Sequence, residues 1–223
     1  MVFLRQVYKD YRRYRAAGNG PLETILILGV WASCAYRLSK SIVNNVRIRF
    51  LRRVLLIPCV IANKLVEIIT GIYIPTQCEI GEGLYMIHAG MIIFPSQGRL
   101  GRNCNVANGV TLGIAGRGED RGAPILGDRV WVGPNAIVIG KISVGDDAFI
   151  CAGAVVLRSV PPRAVVLGNP ARVVSYEGSF DHIHYDGMET DPERIASMSR
   201  RTPTQADQGP TAQAAIHQSE VVV

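Results

Sequence analysis

Between Leu126 and Val156 an aliphatic residue returns at every sixth position: Leu126, Val132, Val138, Val144, Ile150 and Val156. Four residues after the first five of these come Val130, Ala136, Ile142, Ala148 and Ala154, all small or aliphatic. An α-helix repeats near 3.6 residues and a strand alternates with period two, so neither produces a six-residue beat. The pattern predicts a parallel β-helix with three flat faces per coil and one hexad per face. The leading aliphatic residue of each hexad then stacks along the prism axis on its counterpart one coil away. Gly127, Asp128, Gly133, Gly140, Gly145 and Asp146 fall where the chain must turn a corner, often at positive φ.

The same beat begins upstream at Ile74, Ile80, Met86 and Ile92, is expected to slip by two residues through Phe94–Arg99, and resumes at Leu100, Val106 and Leu112. It breaks at Gly113–Pro124, a Gly-rich charged stretch (GIAGRGEDRGAP) read as a loop thrown out from one corner, the usual place for function in a repetitive solenoid. Pro161, Pro162 and Pro170 end the repeat, so residues 73–174 are assigned to the β-helix with its loop at 113–124. Residues 1–72 read as helical: Thr24–Leu38 and Val54–Ile69 are apolar stretches of helix length separated by a polar, basic segment at Ser39–Arg53, and Pro21 suits a first turn. They are expected to cap the open end of the solenoid. Residues 175–223 lose periodicity and are expected to form a mobile, mostly disordered tail with at most a short helix near Pro192–Met198. The His182 and His184 pair in that tail lacks a third ligand, so no metal is assigned.

Charge divides the chain. Residues 1–70 hold twelve Lys/Arg against three Asp/Glu, whereas residues 71–223 hold twelve against fifteen. The basic part implies an anionic partner. No nucleic-acid motif accompanies the charge, and Arg47, Arg49, Arg52 and Arg53 run directly into the apolar Val54–Ile72, so peripheral contact with the inner face of a membrane is the better expectation. A membrane span is disfavoured because the apolar stretches are short or carry Lys64 and Glu67. Five scattered cysteines without CxxC spacing suit buried thiols in a reducing cytoplasm, and the N-terminus has no secretory signal pattern.

His88 is the sole histidine within the coils, placed near a corner one to two coils from the 113–124 loop. A neutral imidazole with a pKa near 6.5 can take a proton from a hydroxyl and return it. Ile80-Gly81-Glu82-Gly83 before His88, Val110-Thr111-Leu112-Gly113, Asp120-Arg121, Gly127-Asp128-Arg129-Val130-Trp131-Val132-Gly133, Ala152-Gly153-Ala154-Val155-Val156, Val160-Pro161-Pro162 and Gly168-Asn169-Pro170-Ala171-Arg172-Val173-Val174 together resemble the serine acetyltransferase branch of the hexapeptide-repeat acyltransferases.

That resemblance implies a left-handed β-helix, assembly as a homotrimer, and sites in the grooves between prisms where acetyl-CoA lies. His88 would be the catalytic base and transfer would be direct, leaving Cys78, Cys104 and Cys151 as small core residues. Gly113 and Ala152 match positions where backbone approaches CoA. Arg158, Arg163 and Arg172 are candidates for its phosphates, or else solvated surface charges. Tyr73, Asn108 and Arg121 are the candidate acceptor contacts.

Three positions depart from the branch's pattern: Ile87 replaces an acidic residue before the histidine, Tyr73 stands where a carboxylate orients it, and Gly122 replaces the histidine after Arg121. Losing the partner of a buried ammonium costs a few kcal/mol of binding. The expected acceptor is therefore a sugar or polysaccharide-precursor hydroxyl, as in the short enzymes of exopolysaccharide or capsule synthesis. Serine, as in cysteine biosynthesis, is the alternative, and an inactive scaffold the third reading. A metal-dependent β-helix enzyme is disfavoured, since three histidines are needed and the coils have one.

Overall fold

The computed structural model describes residues 2–200. Parallel two- and three-residue strands stack into three sheets that form the faces of a prism. Face 1 contains Ile72–Tyr73, Ile92–Ile93, Thr111–Gly113, Ile137–Ile139 and Val155–Val156; face 2 contains Glu79–Ile80, Arg99–Leu100, Ile125–Leu126 and Ser143–Val144. Face 3 contains Asn105–Val106, Trp131–Val132, Phe149–Ile150 and Val165–Leu167, and Arg172–Ser175 closes it as an antiparallel edge. The leading hexad residues Leu100, Val106, Leu112, Leu126, Val132, Val138, Val144, Ile150 and Val156 are all buried in one core, with Ala136, Ala148 and Ala154 as their small partners.

Corners carry the backbone cost of the repeat. Where face 2 turns into face 3, the positive-φ residues run Gly83, Asn103, Arg129, Asp147 and Arg163, one per coil. Arg129 and Asp147 are not glycines, yet they occupy the left-handed region at φ 55° and 59°. A buried ion pair between them, at 2.6 Å, links one coil to the next at this corner. Burial works against the Arg129 charge, but Asp147's hydrogen bonds and charge outweigh it and raise the guanidinium pKa.

The register places the slip earlier than the sequence suggests. Ile72 pairs with Ile92 and Tyr85 with Asn105, twenty residues on, whereas Ile93 pairs with Thr111, eighteen on. The two additional residues therefore lie between Tyr85 and Ile93, not at 94–99. Phe94, fully buried, takes the leading hexad position that the sequence assigns to Ile92. Both side chains are apolar and both point inward, so hydropathy alone does not separate them.

Four helices precede the coils: α1 (Val2–Ala16), α2 (Pro21–Leu26), α3 (Leu28–Asn45) and α4 (Arg49–Thr70). Pro21 starts α2. The Ser39–Arg53 segment expected to separate two helices is itself mostly helical, with buried Ser39 returning its hydroxyl to the Ala35 carbonyl; only residues 46–48 break the helix. Ala32 and Tyr36 of α3 join the core cluster over the first coil.

Buried Asp10 fastens the joint between helices and coils. Its carboxylate accepts from Arg37 (3.0 and 3.2 Å), from the Gly83 and Leu84 N–H groups (2.8 and 3.2 Å) and from the Ser33 hydroxyl. Arg37 donates onward to the carbonyls of Ile80 (2.6 Å) and Gly81.

Residues 176–200, expected to be mobile, fold back over face 3. Phe180 and Ile183 are buried, Ser179 hydrogen-bonds the carbonyl of Arg129 (2.6 Å), and Arg194 of α5 (Pro192–Ser199) donates to the Phe180 and Ile183 carbonyls. His182 packs beside Trp131 and Phe149, whose rings stack at 5.7 Å. This packing uses isolated apolar residues in a polar stretch, which is why the composition misses it. The remainder of the expected tail, residues 201–223, lies outside the described residues.

Asp10→Ala should cost about 3–5 kcal/mol of stability, read from the urea midpoint, because it strands the Arg37 charge and two backbone donors. A second expectation concerns the thiols. Burial pushes both Cys78 and Cys104 up to about 12. At pH 8 neither should react with a thiol reagent until the protein is unfolded, as followed by mass spectrometry of the labelled peptides.

Candidate active site

The corner from face 3 to face 1 forms one long edge of the prism. Backbone bonds knit it coil by coil: Gly109 N–H to the Gly90 carbonyl (2.9 Å), Asn135 to Asn108 (3.0 Å), and Gly153 to Pro134 (2.8 Å). His88, Asn108 and Ala152 all stand on this edge, and Arg172 begins the closing strand next to its upper end, opposite Leu167. The two additional residues fall at its first corner, and they bow the chain outward so that the His88 imidazole is exposed.

That bowed corner is fastened at both ends by the helical region. At its start, the Met86 N–H donates to the Tyr14 hydroxyl (3.0 Å), which in turn donates to the Met86 carbonyl (3.3 Å). Tyr14 is fully buried and desolvation raises its pKa, keeping the phenol protonated as a donor. Gly29 is required here: a Cβ would lie 2.4 Å from the Met86 carbonyl oxygen and 2.6 Å from the Tyr14 hydroxyl. At the far end, the Ile92 N–H donates to the carbonyl of Gly71 (3.1 Å), the left-handed C-cap of α4. Arg13 lies alongside Tyr14, its guanidinium 5.1 Å from the Tyr85 ring centroid and bonded to Asn105 (2.5 Å) and to the His184 carbonyl. Its burial lowers the pKa to about 10, still charged at neutral pH. The sequence offers no periodic signal for Tyr14, Gly29 or Asp10, because each acts on the backbone of a distant segment.

The other candidates lie elsewhere on the prism. Gly113 ends a face 1 strand at the opposite edge, and a Cβ there would meet the Ile139 side chain at 2.7 Å, so packing within the chain already demands glycine. Arg121 is exposed on the following loop, which closes as a small hairpin between Ala115 and Gly122 and is held by Lys141 donating to the Glu119 carbonyl (2.9 Å). Tyr73, half-exposed, sits on face 1 one coil below Ile93. Arg158 is on the loop edge. Arg163 is on the third edge, where it takes a positive-φ corner position and donates to the Arg200 carbonyl. A single chain thus unites His88 with Asn108, Ala152 and Arg172, but not with Arg121, Arg158 or Arg163.

Comparison with known proteins agrees with this architecture. The family described as "Bacterial transferase hexapeptide (six repeats)" matches residues 123–158. The serine acetyltransferase of Helicobacter pylori (strain ATCC 700392 / 26695) is 34% identical over 160 residues, 72% of this chain and 89% of that protein. That of Synechococcus elongatus is 30% identical over 190 residues, 84% of this chain and 74% of its own. Among solved structures, Neisseria gonorrhoeae serine acetyltransferase in complex with serine gives a TM-score of 0.66 at 29% identity, covering 78% of this chain and 69% of that one. These relatives overturn the sugar acceptor. The departures at Tyr73, Ile87 and Gly122 are three positions against a likeness that runs through helices and coils alike. The chain belongs to the serine acetyltransferase family of hexapeptide-repeat proteins, and it is an O-acetyltransferase.

Proposed function

We propose that the protein is a serine O-acetyltransferase that moves the acetyl group of acetyl-CoA to the hydroxyl of L-serine, working in the cytoplasm as a homotrimer of left-handed β-helices. The outward bow at His88 carries this reading: an exposed imidazole, on a corner braced from both sides, in a chain of this family. In the reaction, His88 takes the serine hydroxyl proton as the oxygen attacks the thioester carbonyl. A backbone N–H stabilises the tetrahedral oxyanion, and the imidazolium then protonates the departing CoA thiolate. The proton thus passes from substrate to product with no acyl-enzyme and no net change in the histidine.

The edge that bears His88 suits a long, thin co-substrate. At about 4.8 Å per coil, the run from His88 past Ala152 to Arg172 spans roughly 20 Å. The thioester would lie at His88, the pantetheine arm along Ala152, and the phosphates near Arg172. Arg163, on another edge, is left out of that path.

Arg121 belongs to the opposite edge of face 1, so serine's carboxylate reaches it only when a second prism is alongside. In a trimer the loop edge of one copy faces the His88 edge of the next, and each site then takes its base from one copy and its arginine from a neighbour. Ile87 supplies no charge for the serine ammonium, which leaves Arg121 as the charged anchor of the acceptor.

CoA release from acetyl-CoA should depend on added L-serine; a rate indifferent to serine would overturn the reading. His88→Ala should lower kcat/KM roughly 10²–10⁴-fold. Arg172→Ala should raise the KM for acetyl-CoA at least about tenfold, the worth of a charge-assisted hydrogen bond, while Arg163→Ala leaves it unchanged. Mixing His88→Ala and Arg121→Ala subunits by co-refolding should restore activity that neither variant has alone, and failure to do so would place both groups in one chain's site.

A further inference from the structure

Helix α4 is turned the wrong way for a protein surrounded by water alone. Its inward stripe, Leu56, Cys59, Asn63, Val66 and Thr70, is partly polar, and Asn63 spends its amide on the Ser39 hydroxyl (2.6 Å) and the Cys59 carbonyl. The opposite stripe, Phe50, Val54, Ile57, Ile61, Leu65 and Ile68, is wholly apolar and exposed, Phe50 by 77% and Ile68 by 72%. Leu51, Val60 and Ile69 widen it. An apolar patch of this extent marks a surface that another phase or molecule covers.

Charge identifies what covers it. At 100° per residue, Arg49, Arg53 and Lys64 line one flank of the stripe, and Arg47 and Arg52 stand at the same end of the helix. Lys64 is paired with Glu67, but among the described residues none of the four arginines is in an ion pair. A second copy of this helical region offers these four arginines only one carboxylate outside an ion pair, Glu23. Its three acids are Asp10, buried against Arg37; Glu23, which accepts from the Gly20 N–H; and Glu67, bound to Lys64. A layer of phosphates supplies the missing charge. None of the described helices is long and apolar enough to cross a membrane. An apolar stripe, a basic flank and this length describe a helix that lies in the plane of a bilayer surface.

We propose that the outward face of α4 docks on an anionic lipid bilayer, with Phe50, Ile57, Ile61 and Ile68 among the upper acyl chains and Arg47, Arg49 and Arg53 at the headgroup phosphates. The docking does not use the His88 edge, so it stands apart from the choice of acceptor. It brings an O-acetyltransferase to a membrane surface while its coils remain in water.

The full-length protein should co-sediment with vesicles enriched in phosphatidylglycerol and remain in the supernatant with phosphatidylcholine vesicles. The double variant Ile57→Asp, Ile61→Asp, altered only at exposed positions, should lose binding at least tenfold. Arg49→Glu with Arg53→Glu should lose a comparable factor and flatten the salt dependence, since each cation near such a surface is worth roughly a fivefold change. Release of CoA by these variants in vesicle-free solution should match the unaltered protein. Failure of the unaltered protein to sediment with either vesicle would overturn the proposal, as would equal sedimentation of the aspartate variant. A fall in oligomer mass of the aspartate variant in analytical ultracentrifugation would also overturn it, because the face would then be covered by another copy.

Discussion

One residue per face per coil must point inward and stack on its neighbour about 4.8 Å away. Nearly every other feature of this protein is a consequence of that demand. It forces short strands, because a longer one would leave its face before the corner. It forces left-handed backbone at the corners, met mostly by glycine, asparagine or aspartate, by Arg163 at the last coil, and at Arg129 by a side chain whose buried partner offsets the strain. It also makes the outward surface a ruler, since residues at equivalent corners line up along an edge whatever their separation in the chain.

A ruler is useful only where it is interrupted. Two interruptions exist among the described coils, the corner at His88 and the loop at 113–124, and they fall on different edges one coil apart. The first is small enough that an unbraced corner would sample several shapes. Tyr14 and Gly71 remove that freedom by binding the backbone on either side of it. The helical region is therefore more than a cover for the first coil. Through Asp10, Arg37 and Tyr14 it sets the backbone from which the imidazole projects, so stability of the joint and geometry of the site are one property.

The coils were readable because their constraint is periodic and one-dimensional: a hexad of aliphatic residues is visible without knowing what each contacts. His88 was readable as the lone polar interruption able to move a proton. The location of the slip was not, since Ile92 and Phe94 satisfy the same hydropathy rule and only strand pairing chooses between them. The short helix near Pro192–Met198 is legible and present as α5, but the order of the rest of 176–200 is not, for a related reason. Their order comes from Ser179, Phe180, Ile183 and Arg194 meeting surfaces formed by distant coils, and composition records none of those surfaces. Arg163 and Arg172 look alike as arginines in a loop-rich end; three edges distinguish them, and the edge of a residue depends on counting coils correctly.

The acceptor is the property least legible in the sequence, for a physical reason. Ile87, Tyr73 and Gly122 argue against serine only if each must bind it alone, with the loss of a carboxylate costing a few kcal/mol. That sum treats the contacts as independent and as belonging to one chain. Neither assumption suits this chain, in which Arg121 and His88 stand on opposite edges of the same face. Substitutions within one site change each other's surroundings, and their energies do not add. A carboxylate missing at one position is then weak evidence against a substrate. Likeness sustained across 89% of a serine acetyltransferase constrains many positions at once, and it outweighs the three departures.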